Sequence, residues 1–210
     1  MKKIIIVILN LVIMFYFIGY KKPIYAFNEI EEENSVATIT FYASDGSSER
    51  NFLLLNLGHA FFTILNETDD YLLVGDYRLE PLEQISISLW PISFQFGVWY
   101  NLESVMVNNN NKYKDRLSVS FKINKNTLSD ITSYINQNPT WSFLYNCSKF
   151  TSKVYSIVTK NNLNYLIYSP SKLKSHFKNY NYQTYEFIKK NNNVGYFDGG
   201  KFISCEIKSF

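Results

Sequence analysis

Trp141-Ser142-Phe143-Leu144-Tyr145-Asn146-Cys147-Ser148-Lys149-Phe150 is the stretch on which the reading of this chain turns. Asn146 is a residue type that caps helices, because its side-chain oxygen can accept a bond from an unpaired N–H of the first turn. Downstream, Phe150, Val154, Ile157 and Val158 recur at helical spacing, so the pattern predicts a helix over 146–159. Cys147 then occupies its first position. The positive end of a helix dipole lowers a thiol pKa there and favours thiolate. Backbone N–H groups at such a helix start can also receive an oxyanion. The competing reading is a core Cys that behaves as a small hydrophobe.

A second stretch bears on the same chemistry. Gly58-His59-Ala60-Phe61-Phe62-Thr63-Ile64 reads as a strand over about 59–65 that opens on an imidazole. A structural His is the plain reading of such a position taken alone. Together with a thiolate at a helix start, it suggests a thiol–imidazole pair, in which His takes the thiol proton and a third polar group orients the ring. Residues 71–79 are read as the next strand, joined to the first by the polar turn 66–70. That hairpin would set His59 across from Asp76 or Tyr77, which makes Asp76 the orienting candidate. Asn101 and Glu103, in the aromatic run 97–103, are the reserves.

The rest of the chain alternates in the same way. Strands are expected over 36–43, 85–90, 117–123, 184–188 and 194–207, the last with a turn at Asp198-Gly199-Gly200. Helices are expected over 127–137 and 170–180. Residues 96–103 read as irregular, and Asn108–Asn111 as an exposed loop. With no repeat and no Pro- or Ser-rich linker, one α+β domain over 35–210 is the simplest account.

Composition bounds the function. The chain has 210 residues, 46% hydrophobic and 18% aromatic, enough to bury a core without staples. Two Cys and two His are too few for a zinc finger or an iron–sulfur cluster, and no phosphate-binding Gly-rich loop is present, so no cofactor is expected. A metal site from His59, Asp76 and His176 has no recognisable ligand spacing. The formal charge is +3, but Met1-Lys2-Lys3, the apolar run 4–18 and the small residue Ala26 have the layout of a secretory signal peptide over 1–26. Its four Lys leave with it, and the remainder carries −1. Nucleic acid is therefore not an expected partner. The expectation is a secreted protein with an acidic leader over 27–34, touching membrane only through the signal segment.

Gly58-His59-Ala60-Phe61 followed by Asn146-Cys147-Ser148-Lys149-Phe150 resembles the circularly permuted papain-like group, related to NlpC-type cell-wall peptidases and to lecithin:retinol acyltransferase. In that group the His strand precedes the Asn-Cys helix, as here, and the resemblance covers approximately Val36 to Tyr155. It implies an antiparallel sheet packed on a nucleophile helix, with Cys147 as nucleophile and His59 as base. It also implies a polar third residue on the strand after the His strand, which agrees with Asp76 by position. In the acyltransferase branch that residue is typically a second His, which this chain lacks there.

The function so implied is a secreted cysteine amidase or peptidase acting on a peptide, amide or acyl substrate, a cell-wall peptide among them. A thiol acyltransferase would share the nucleophile. The alternative from another class is a non-catalytic binding module on the same fold, using its 17 Tyr and 17 Phe as contact surface. A Cys147–Cys205 disulfide would remove the thiol and favour that alternative. His176 is read as lying on an exposed helix face.

Overall fold

Alternation along β1 (Ser35–Ser44) explains the architecture. Ile39, Phe41 and Ala43 belong to one apolar cluster, whereas Tyr42 belongs to another, because successive side chains of a strand leave opposite faces. The sheet is therefore covered on both sides. The computed structural model describes residues 34–49, 58–92, 95–137, 139–184 and 186–206. The expected signal segment, nearly all of the acidic leader and the apolar run 52–57 lie outside the described residues.

After β1 come β2 (His59–Asn66), the short pair β3 (Leu72–Val74) and β4 (Tyr77–Leu79), then β5 (Gln84–Ile92) and β6 (Gln95–Tyr100). Helix α1 (Leu102–Asn110), β7 (Leu117–Asn124), α2 (Lys125–Ile135) and α3 (Cys147–Thr159) come next. The chain continues through α4 (Pro170–Phe177), β8 (Gln183–Thr184), β9 (Gly195–Asp198) and β10 (Lys201–Ser204). Eight strands form one antiparallel sheet in the order β10-β9-β6-β5-β2-β1-β7-β8. The fold is α+β, with a large antiparallel sheet and, among the described residues, four α-helices.

The larger cluster joins Phe41, Phe62 and Ile64 to Leu128 and Ile131 of α2, Phe150 and Val154 of α3, and Phe177 of α4. On the other face Tyr42, Phe61 and Trp99 meet Leu102, Val105 and Met106 of α1, with Ile188 and Val194 from the C-terminal segment. Burying each such large apolar side chain contributes about 1.5–3 kcal/mol before entropy is counted.

Four sequence expectations are corrected. Residues 71–79 are not one strand but a hairpin, β3–β4, closed by Gly75-Asp76 with Val74 paired to Tyr77. Gly75 stands at φ +61°, as the first central residue of a two-residue turn requires. This hairpin does not pair with β2, whose neighbours are β1 and β5. The chain leaves β2 at Asn66, which donates through Nδ2 to the carbonyls of Asp70 and Leu79 and so fixes a turn away from the sheet. Second, residues 95–100 are not irregular: they form β6, with Val98, Trp99 and Tyr100 all buried. Third, Asn108–Asn110 are the last turn of α1, which ends at a left-handed Asn111. Asn108, still exposed, donates to the carbonyls of Ser104 and Ile188 and so ties the helix to the C-terminal segment. Fourth, the strand expected over 184–188 shrinks to Gln183–Thr184.

Candidate functional site

Asn146 caps α3 as its residue type predicts: its side chain accepts from the Lys149 N–H at 3.1 Å, and its carbonyl accepts from Phe150 N–H at 3.0 Å. Cys147 is the first helical residue, and it is a free thiol, as is Cys205. No disulfide joins them. The N–H groups of Cys147 and Ser148 take no partner among the described residues, so the helix start presents two donors beside the sulfur.

His59 opens β2, paired with Ser44 of β1. Gly58, just before it, holds φ +69°, and a Cβ there would lie 2.2 Å from the Ser44 carbonyl oxygen. Only glycine lets the chain enter the strand so close to β1. The His59 ring is buried, 4.2 Å from the Trp90 ring and 5.5 Å from that of Tyr113, centroid to centroid. The Cys147 thiol lies near enough to the ring and to the Ala60 backbone for each to shift its protonation. Cys147 thus reaches the end of β2 from the helical face, while His59 shares the α1 face with Phe61.

The group that holds His59 in place is Glu103. Its Oε1 lies 3.0 Å from His59 Nε2 and 2.6 Å from Trp90 Nε1, which donates. Its Oε2 accepts from Ser86 Oγ at 3.0 Å, and that hydroxyl accepts from the Ser104 N–H. The carboxylate is fully buried, and these donors replace the water it has lost. With Nε2 committed to Glu103, Nδ1 remains for the thiol. A turn makes this placement possible. Asn101 follows β6 in the left-handed region, at φ +63°, and its N–H and side-chain oxygen bond back to the Ser86 backbone. The chain doubles over β5, and Glu103 enters the first turn of α1 above Ser86.

Asp76 is therefore corrected as the orienting candidate. It sits exposed at the tip of the β3–β4 hairpin, and its side chain accepts from Asn136 Nδ2 at 3.4 Å. Of the two reserves, Glu103 bonds the imidazole and Asn101 shapes the turn that carries Glu103. Sequence reasoning missed Trp90, Ser86 and Tyr113. Trp90 and Ser86 were visible only as members of an alternating strand. His176 is corrected too: it is half-buried in α4, its Nε2 3.3 Å from Tyr155 Oη. Among the described residues, no three His, Cys, Asp or Glu come together in a way that could hold a metal ion.

The electrostatics arise from the contacts. Burial alone would push the His59 pKa down. The Cys147 thiolate and the Glu103 carboxylate outweigh it and raise the value to about 9. Burial would push the Cys147 thiol up, and His59, with the Ala60 and Ser148 contacts, brings it below its ordinary value instead. Each group stabilises the charged form of the other, which is the condition for a thiolate–imidazolium pair at neutral pH. A cavity of about 240 Å³ opens beside the imidazole, lined by Trp90, Met106, Lys112 and Tyr113. A thiolate next to two unpaired backbone donors and a protonated imidazole can attack a carbonyl carbon and stabilise the resulting oxyanion.

No protein-family model, no curated protein and no solved structure matches this chain.

Proposed function

We propose that the protein is a thiol hydrolase of the permuted papain-like kind, with Cys147 as nucleophile, His59 as acid–base and Glu103 as the residue that orients His59. The observation that carries this reading is that three segments distant in sequence bring Cys147, at the start of α3, beside His59, which is hydrogen-bonded in turn to the buried Glu103. The Cys147 thiolate attacks the carbonyl carbon of an amide or ester, and the carbonyl oxygen becomes an oxyanion facing the Cys147 and Ser148 N–H groups. Collapse of that intermediate breaks the bond to the leaving group, which takes its proton from His59. Water, deprotonated by His59, then adds to the thioester and releases the acid and the thiolate. Glu103 keeps the ring aligned throughout and balances its positive charge. Peptides of the cell wall are the first substrates to test, in a secreted protein.

Reaction with iodoacetamide at pH 6.5 tests the pair without knowledge of the substrate. Cys147 should be alkylated at least tenfold faster than Cys205, whose thiol burial pushes up. Cys147→Ala should abolish that fast phase and any hydrolysis of wall peptides. A Cys147 no faster than Cys205 would sink the mechanism.

A further inference from the structure

The nucleophile helix begins between two loops whose apolar side chains point into solvent. Phe143 and Leu144 are 79% and 75% exposed, and Leu166 and Ile167 are 97% and 57% exposed. The loops are neighbours: Asn146 Nδ2 donates to the carbonyl of Phe143 at 3.4 Å and to that of Tyr168 at 3.1 Å. One small surface around the start of α3 thus carries four large apolar groups. None is used by either core cluster, and folding alone gives no reason for such a concentration.

The charge around this surface is one-sided. From Ile131 to Tyr185 the sequence contains six Lys and no Asp or Glu, although the chain as a whole is nearly balanced. Lys174 is spent on Asp45 and Asp115, and Lys160 lies 3.9 Å from Asp130. Lys149 stands at the patch itself, 5.4 Å from the Tyr145 ring centre and 5.6 Å from that of Tyr168. Lys172 stands over Tyr165, at 6.0 Å. Apolar tips, aromatic rings behind them and lysines at the rim form the composition that suits an interface between water and anionic lipid.

We propose that this end of the molecule docks on an anionic lipid bilayer. Phe143, Leu144, Leu166 and Ile167 enter the boundary between headgroups and acyl chains, and Lys149 and Lys172 face the phosphates. A soluble polyanion would engage the lysines and leave the four apolar side chains in water. A second copy of the chain would set two lysine-rich surfaces against each other. The bilayer alone satisfies both halves of the surface. Docking does not depend on the thiol chemistry, so Cys147→Ala should dock as the wild type does, and the two proposals fail separately.

The test is local, so that the apolar run 4–18 cannot imitate the result. Trp is introduced in the full chain as Leu166→Trp and, independently, as Phe143→Trp, with Leu73→Trp on the β3–β4 hairpin as the control. Fluorescence is read as a difference from the parent chain. With vesicles of phosphatidylglycerol and phosphatidylcholine, the loop tryptophans should shift to the blue and be quenched when the lipids carry bromine on their acyl chains. Leu73→Trp should do neither. Phosphatidylcholine vesicles alone and soluble polyphosphate should leave the loop signals unchanged. Adding Lys149→Gln and Lys172→Gln should move the quenching to a higher fraction of anionic lipid. Loop tryptophans that stay unquenched on anionic vesicles overturn the proposal. A blue shift equal on neutral vesicles overturns the role of the lysines, and an equal response to polyphosphate overturns the bilayer as partner.

Discussion

Two carboxylates in this molecule have solved the same problem with different partners. Glu103 is buried under α1 and gathers His59, Trp90 and Ser86. Asp115, 10% exposed before β7, gathers Lys174 at 2.7 Å, Ser44 at 2.7 Å, Ser48 at 2.8 Å and the Asp45 N–H at 3.0 Å. Both have replaced water with donors, as buried carboxylates must. The difference lies in the cation. Lys174 has its pKa raised by Asp115 and Asp45 against the effect of burial, so it keeps its proton. The cation beside Glu103 is an imidazole that also touches a thiol, and it can give its proton up. The first cluster to be built from a lysine clamps β1, the segment before β7 and α4 together. The cluster built on the imidazole can carry a reaction.

Glu103→Gln should break that contrast most sharply. The amide oxygen can still accept from Trp90 and the amide NH2 can donate to Ser86 Oγ in place of the bond it received, so the fold should survive, but the negative charge beside His59 is gone. The imidazole pKa then falls from about 9, because one of the two charges that raise it is gone, and the cation that holds the Cys147 thiol below its ordinary value is weakened. The onset of alkylation should move to higher pH. Alkylation near neutral pH and hydrolysis should drop about a hundredfold, the order of effect expected when an acid–base group is mis-poised. An unchanged pH–rate profile would remove Glu103 from the mechanism.

Asp115→Ala should do the reverse, costing stability and sparing the thiol. Breaking a fully buried charged pair costs about 3–5 kcal/mol, and this pair keeps slight exposure, so roughly 2 kcal/mol is expected from denaturant unfolding. Burial would raise the Asp115 carboxyl, but its bonds with Asp45, Lys174, Ser44 and Ser48 hold it well below the ordinary carboxylate range. Its folded pKa therefore lies below its unfolded one. The stability it supplies is complete above about pH 5 and is lost as pH falls through the unfolded carboxylate range, near 4, toward the folded value. The variant should lack this acid-dependent loss, and its Cys147 alkylation rate should match the parent within a factor of two. A thiol slowed tenfold would mean that the two clusters are coupled.

The two clusters also differ in how far they could be read from sequence. The ends of the reactive line were legible because local chemistry marks them. Asn146 is a capping residue, the apolar spacing after it makes a helix, and Gly58 precedes a strand that can open only on His59. The middle of the line was not legible. Glu103 reaches His59 because Ile87 pairs with Tyr100 and because Asn101 turns left-handed, and neither register nor a positive φ in an Asn is written in composition. The hairpin error was avoidable. Val74-Gly75-Asp76-Tyr77 carries Gly at the first position of a two-residue loop, a turn signal inside what reads as one strand. The Asp115 cluster went unseen for the same reason as Glu103, since the bonds that join its three segments span 59 to 129 residues.

That misread hairpin supplies the smallest expected effect. Asp76 became the orienting candidate because a hairpin with β2 would have laid it beside His59. With β3 and β4 paired to each other instead, its exposed carboxylate accepts from Asn136 at 3.4 Å and lies on the side of Tyr100 rather than of His59. A long, exposed hydrogen bond of this kind contributes little, and surface substitutions of this sort stay within about 0.5 kcal/mol. Asp76→Ala should therefore leave the unfolding midpoint and the pH profile of Cys147 alkylation where they are. Asn101→Ala should lower both stability and thiol reactivity, because the turn that delivers Glu103 loses the side chain that bonds Ser86 and Asn193. If the two variants exchanged behaviour, the orienting group would be on the hairpin after all, and the line from Cys147 through His59 to Glu103 would be an accident of packing.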